Sequence, residues 1–208
     1  MYNSFFKLYY IVLISFFFFI ILFNCTNSVS TTSTTEDLEI HKESQNTKGL
    51  FWPIPGNHNY TSYFGKRRSP TTGASTYHSG VDVGATSGTK LYSCIDGKVT
   101  FLAFKGAGGY TLTVTNGNLS VSFCHISPKF LVTVGQTVKK GELIARVGPK
   151  NVYGVKNNPY RDRNGNPTNG ATTGSHLHLT IRKRRHSRQS FIFILIFFRF
   201  IIRPIYFD

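Results

Sequence analysis

Three short segments of this chain hold side chains that could bind a metal ion and move protons. TYHSGVDVG carries His78 and Asp82, VSFCHIS carries His125, and TGSHLHLTI carries His176 and His178. Imidazole changes charge near neutral pH. Neutral imidazole and ionised carboxylate are also good zinc ligands, and a catalytic zinc needs three of them with a fourth position left open.

The positioning elements follow from a period of two. GVDVGA and HLHLTI are rich in Val, Leu, Ile and Thr and alternate in polarity, which predicts strands. In a strand, residues i, i+2 and i+4 share a face. An extended reading of 78–82 therefore points His78 and Asp82 the same way. His176 and His178 share a face, and Leu177 and Leu179 turn toward a core. Two such strands side by side bring up to four polar groups to one spot. Each signal alone has an ordinary reading, because a histidine on a strand is usually solvated or satisfied within a core. His125, in the alternating run SVSFCHIS closed by Ser127-Pro128, reads by pattern equally well as structural. The joint presence of HxxxD and HxH favours the metal site. Tyr77, beside His78, is read as packing. His41, His58 and His186 lack comparable context and are read as solvated.

These blocks, in this order, carry a resemblance. WPIPG followed by TSYFGKR, then YHSGVDVGA, FCHIS, VTVGQTVKKGELIARVG and GSHLHLTIRK resemble the lysostaphin-like zinc metalloendopeptidases, which cleave peptide bonds in bacterial cell walls. The match runs from about Phe51 to Lys183. The resemblance implies an all-β fold, with antiparallel sheets forming a catalytic groove and long connecting loops. It places the zinc ligands on His78, Asp82 and His178, and the catalytic histidines on His125 and His176. It implies hydrolysis of peptide cross-links in peptidoglycan. In such a site one group takes a proton from water and another protonates the leaving amine, and His125 and His176 can share these roles in either order. A non-catalytic wall-binding or regulatory protein that keeps the fold is the alternative. A biotinyl- or lipoyl-carrier reading of VTVGQTVKKGELIARVG needs a modified lysine on an exposed hairpin, flanked by Met or Asp-Ala, and none is present.

The remaining text fits a β-rich domain. Short Val/Ile/Tyr/Phe/Thr runs are separated by turns at Gly88, Asp96-Gly97, Gly106 to Gly109, Asn116-Gly117, Gly135 and Gly148, with no sustained 3.6-residue period. Asn116-Gly117 between TLTV and LSVSF predicts a hairpin. The glycines at 106–109 lack the strand-to-helix setting of a phosphate loop, so nucleotide binding is discounted, and they are expected at the rim of the cleft. The polar run Pro149 to Thr173 leads into His176 and is expected to form one wall of the substrate groove. Cys25, Cys94 and Cys124 give an odd count and no CxxC pair, so neither a disulfide framework nor a thiolate zinc site is expected. Cys94 and Cys124 are read as small core residues.

The net charge is +15. A basic surface suits the anionic polymers of a cell wall, and nucleic acid is not the expected partner. The central cations Lys66, Arg67, Arg68, Lys139, Lys140, Arg161 and Arg163 are read as a solvated face. Residues 8–23, LYYIVLISFFFFIILF, follow Lys7 and are read as the core of a signal peptide or a signal anchor, ending near residue 25. Residues 26–49 are Ser/Thr/Glu-rich and read as a flexible tether, and residues 50–183 as the catalytic domain. An extracytoplasmic, wall-facing protein is expected, membrane-anchored or secreted. After Lys183 the resemblance stops. A glycine turn and a VNPLxY-like ending are expected there, but the chain reads RRHSRQSFIFILIFFRFIIRPIYFD. A reading-frame shift near codon 184 accounts for this change. A basic membrane-surface segment is the other reading.

Overall fold

The structure is a computed structural model and describes residues 49–184. The expected signal or anchor segment, the tether and the tail after Arg184 lie outside the described residues. Among the described residues no helix is long and apolar enough to cross a membrane.

Eleven strands are described. In chain order they are β1 (Tyr60–Ser62), β2 (Gly65–Lys66), β3 (Tyr77–His78), β4 (Val81–Gly84), β5 (Lys90–Tyr92), β6 (Gly97–Phe104), β7 (Tyr110–Asn116), β8 (Leu119–Cys124), β9 (Thr137–Val138), β10 (Leu143–Arg146) and β11 (His176–Lys183). Seven of them form one sheet in the order β1-β4-β11-β8-β7-β6-β9, antiparallel at every junction. β10 pairs with β5, and β2 with β3, in two small sheets. The only helix described is a 3-10 turn, Gly106–Gly108. The expected all-β antiparallel fold is therefore present.

Alternation decides the two faces of the large sheet. Val83, Leu112, Val114, Val121, Phe123 and Leu177 are wholly buried, and they pack in one cluster with Leu91 of β5 and Ile144 of β10. The other face carries Asp82, Thr111, Thr113, Ser122, Thr180 and Arg182. Burial of the first set drives the sheet together at roughly 1.5–3 kcal/mol per large aliphatic or aromatic side chain. The second set is left to face a cleft.

The β7–β8 hairpin forms as expected, one residue later than its sequence signal. Asn116 pairs with Leu119 as the closing pair, so Gly117 and Asn118 make the two-residue loop. Gly117 has φ +55, and Asn118 is not among the positive-φ residues. That is the pattern of a type II′ turn, which needs glycine at its first position.

Candidate metal centre and its cleft

β11 is the spine of the site. Antiparallel pairing sets His178 directly opposite Asp82 on β4 and opposite Cys124 on β8. Leu177 and Leu179 are buried beneath it, so His176 and His178 stand on the same upper face, as the period of two requires.

His78 arrives differently from the sequence expectation. The 78–82 segment is not one extended strand: Ser79-Gly80 breaks it, and His78 belongs to β3 in the small β2–β3 sheet. Gly80 makes the crossing possible. A Cβ there would collide with the Leu179 carbonyl and lie 2.8 Å from His178 Nε2.

Three donor atoms converge. His78 Nε2 lies 3.0 Å from Asp82 Oδ1 and 2.8 Å from His178 Nδ1, and His178 Nδ1 lies 2.8 Å from the same carboxylate oxygen. The outer atoms decide where the imidazole protons sit. His78 Nδ1 is 2.8 Å from the Tyr63 carbonyl, which can only accept, so that nitrogen carries the proton and Nε2 bears a lone pair. Ser62 Oγ is a further neighbour of His78 Nδ1, at 3.2 Å. His178 Nε2 is 2.9 Å from Thr180 Oγ1, a partner that can hold the His178 proton on that side. Lone pairs then face one another inside the cluster. A single proton there serves two of the three atoms only as a shared bond, whereas one small cation satisfies all three. Two imidazole nitrogens and a carboxylate oxygen form a donor set suited to zinc. His78 and Asp82 are buried and His178 is partly so, and together they form a cluster able to hold a metal ion.

Electrostatics agree with the geometry. Burial pushes the Asp82 carboxyl up, but hydrogen bonds from His178 and His78, made when either ring carries an inward proton, outweigh it and hold the group well below the usual carboxylate range. Burial pushes the His178 imidazole down, against the pull of Asp82.

His125 and His176 form the second pair, with ring centroids 4.5 Å apart. Each has Nδ1 against a backbone carbonyl, Asn169 at 2.6 Å for His125 and Gly174 at 2.9 Å for His176. Each therefore keeps its proton on Nδ1 and leaves Nε2 as an acceptor. His176 Nε2 is 3.6 Å from Asp82 Oδ1. The His125 pKa falls to about 3, chiefly by burial and next by the charge of His176. His125 also has φ +58, uncommon for a residue with a Cβ. Backbone bonds impose it: His125 N donates to the Gly108 carbonyl at 2.8 Å, and Gly148 N donates to the His125 carbonyl at 2.9 Å. Such a conformation costs about 1–3 kcal/mol and needs this enclosure to persist.

Two positioning residues escaped the sequence reading. Arg67, read there as a solvated cation, is half-buried: its Nη1 donates to Asp82 Oδ2 at 3.1 Å and to Ser62 Oγ at 2.6 Å. It thus ties the carboxylate to the same serine that touches His78. Asn169 braces His125 and links three elements. Besides its carbonyl on His125, its Oδ1 accepts from Tyr110 N at 2.8 Å, and its Nδ2 donates to the Ile126 carbonyl at 3.0 Å. Nothing set Arg67 apart within the KRR run, and Asn169 did not stand out from a turn-rich run.

The cleft beside the cluster is lined by Tyr77, Lys105, Gly108, Thr111, Ser122 and Ala171, among others. Of the glycines at 106–109, Gly108 lines it. The 149–173 loop borders it through Ala171 and reaches His125 through Asn169. Tyr77 packs edge-on against Phe64, and His58 is exposed and stacks on Trp52. Cys94 and Cys124 are both free thiols. Cys94 is a core residue as expected, but Cys124 ends β8 on the cleft face, where burial pushes its thiol up to about 11.

An antiparallel β scaffold that gathers two histidines and an aspartate beside a second histidine pair is a metallohydrolase type of architecture. The chain belongs to peptidase family M23, whose model matches residues 76–190. An uncharacterized metalloprotease of Haemophilus influenzae is 36% identical over 114 residues, 54% of this chain and 20% of that protein. The peptidoglycan DD-endopeptidase ShyB of Vibrio cholerae is 32% identical over 120 residues, 57% of this chain and 24% of that protein. The chain thus matches less than a quarter of the length of either relative. The crystal structure of a zinc-containing peptidase from Vibrio cholerae is 29% identical, with a TM-score of 0.49, covering 64% of this chain and 36% of that one. The family resemblance carried by the sequence blocks holds.

Proposed function

We propose that this protein is a zinc-dependent endopeptidase that hydrolyses peptide cross-links of bacterial peptidoglycan. The observation that carries this reading is the convergence of three lone-pair donors on one point, with two further Nε2 acceptors at its side. His78 Nε2, Asp82 Oδ1 and His178 Nδ1 would hold the ion. Zinc supplies a Lewis acid for the scissile carbonyl and acidifies water in its open position. The remaining chemistry falls to the chain. His125 and His176, their Nδ1 protons fixed on backbone carbonyls, orient the attacking water and accept its proton at Nε2. The same pair returns a proton to the leaving amine, and one of them stabilises the oxyanion. The polar face of the large sheet, through Thr111, Ser122 and Thr180, offers hydrogen bonds along an extended peptide.

The substrate class rests on the family and on the activity named for the Vibrio relative. In this reading residues 50–183 are the catalytic domain, and residues 1–25 export or anchor it on the wall side of the membrane, joined through the tether at 26–49. Residues 184–208 are an atypical tail. The test is release of new amino groups from purified peptidoglycan. Release should stop with a chelator and resume with zinc. No release under any metal condition, from protein shown to be folded, overturns the reading.

A further inference from the structure

The charge lining the cleft has one sign. Arg67, Lys105 and Arg182 line it, and no carboxylate is among the lining residues. Arg67 is already engaged by Asp82, at 3.1 Å. Lys105 and Arg182 are exposed, and neither has an ion-pair partner among the described residues. Lys105 Nζ rests 5.0 Å above the Phe101 ring, which steadies the side chain without neutralising it. Between the two cations the cleft is lined by Thr111, Ser122 and Thr180. Arg182 stands four residues beyond His178 on β11, a span of about 13 Å and so about four residues of an extended peptide.

We propose that Lys105 and Arg182 select an acidic peptide, one with a free carboxylate within about four residues of the scissile bond, over its amidated counterpart. The proposal rests on the endopeptidase reading and adds a charge requirement to it. The two cations touch no reacting atom, so they act in capture and ground-state binding and appear in KM rather than kcat.

The experiment uses two synthetic cross-linked peptides, identical except that one carries free carboxylates and the other carboxamides. The zinc-loaded full chain should cut the acidic peptide with a kcat/KM about two- to tenfold higher at low ionic strength, an exposed charge pair contributing roughly 1.4- to 5-fold. The preference should lie in KM and shrink in about 1 M salt, where the screening length falls to about 3 Å. A K105Q/R182Q double variant should bind zinc as before and cut both peptides at the slower rate. K105E/R182E should favour the amide. Equal kcat/KM for both peptides in the wild type, or an undiminished preference in K105Q/R182Q, overturns the proposal. Failure to cut either peptide instead removes the endopeptidase reading on which it stands.

Discussion

His78 Nε2 and His178 Nδ1 lie 2.8 Å apart although 100 residues separate them in the chain. Neither nitrogen has a proton to offer the other while the outer partners, the Tyr63 carbonyl and Thr180, hold the protons on the far side of each ring. The fold has therefore placed two electron pairs and a carboxylate against each other, an arrangement that a cation relieves.

Metal should accordingly stabilise the domain. Zinc at one hundred times its dissociation constant adds about 2.7 kcal/mol. For a domain of this size that raises Tm by roughly 5–10 °C. Calorimetry with and without zinc checks this. His178→Ala should abolish the increment, and an unchanged Tm in the wild type would count against the cluster as a metal site.

Arg67 should matter to the metal without touching it. Arg67→Gln removes the charge that holds Asp82 Oδ2 and the bond to Ser62. Loss of such an outer partner typically lowers metal affinity or activity by about 10- to 100-fold. Competition with a chromogenic chelator measures it. Unaltered affinity returns Arg67 to the solvated face that the sequence suggested.

His125 should separate binding from turnover. Its side chain is no member of the three-donor cluster, so His125→Asn should keep zinc. Asparagine also tolerates the positive φ better than alanine does. Turnover should fall by about 10²- to 10⁴-fold, the usual contribution of a positioned acid or base. Retained turnover removes His125 from the chemistry.

Much of this site was legible from alternation, but only where a strand supplied it. The shared face of His176 and His178 follows from a period of two, and the register of β11 then sets His178 against Asp82. His78 did not follow the same rule: it was placed correctly beside Asp82 for a reason the pattern does not contain. The chain breaks at Ser79-Gly80 and returns from another sheet, and that crossing depends on tertiary packing under Gly80. Arg67 was hidden because a KRR run looks the same whether it is solvated or turned inward. Cys124 was misplaced because strand alternation gives two faces without saying which one is covered. The hairpin shifted by one residue because glycine at the first loop position selects type II′.

The 149–173 loop carries its own pH dependence. Asp162 lies 3.1 Å from Lys150 Nζ, and its Oδ1 accepts from the amides of Asn164 and Asn166. Burial pushes its carboxyl up, but Lys150, Asn151 and those amides outweigh it and lower the pKa to about 2 from 3.8. A lowered pKa stabilises the loop when the group is ionised. That contribution is whole above about pH 4 and disappears as the pH falls through about 2. The amides of Asn164 and Asn166 should keep their protection from hydrogen exchange through pH 3.5 in the wild type and lose it at every pH in Asp162→Ala. Loss of protection already near pH 4 in the wild type would contradict the arrangement.

Metal dependence is tested by a zinc titration of metal-free protein, with cleavage of a cross-linked wall peptide followed at each step. Activity should rise in proportion to zinc and level off at one equivalent per chain. His78→Ala and Asp82→Ala should stay inactive throughout. Cleavage that proceeds without metal, or that survives either substitution, would rule out a zinc peptidase held together by these residues.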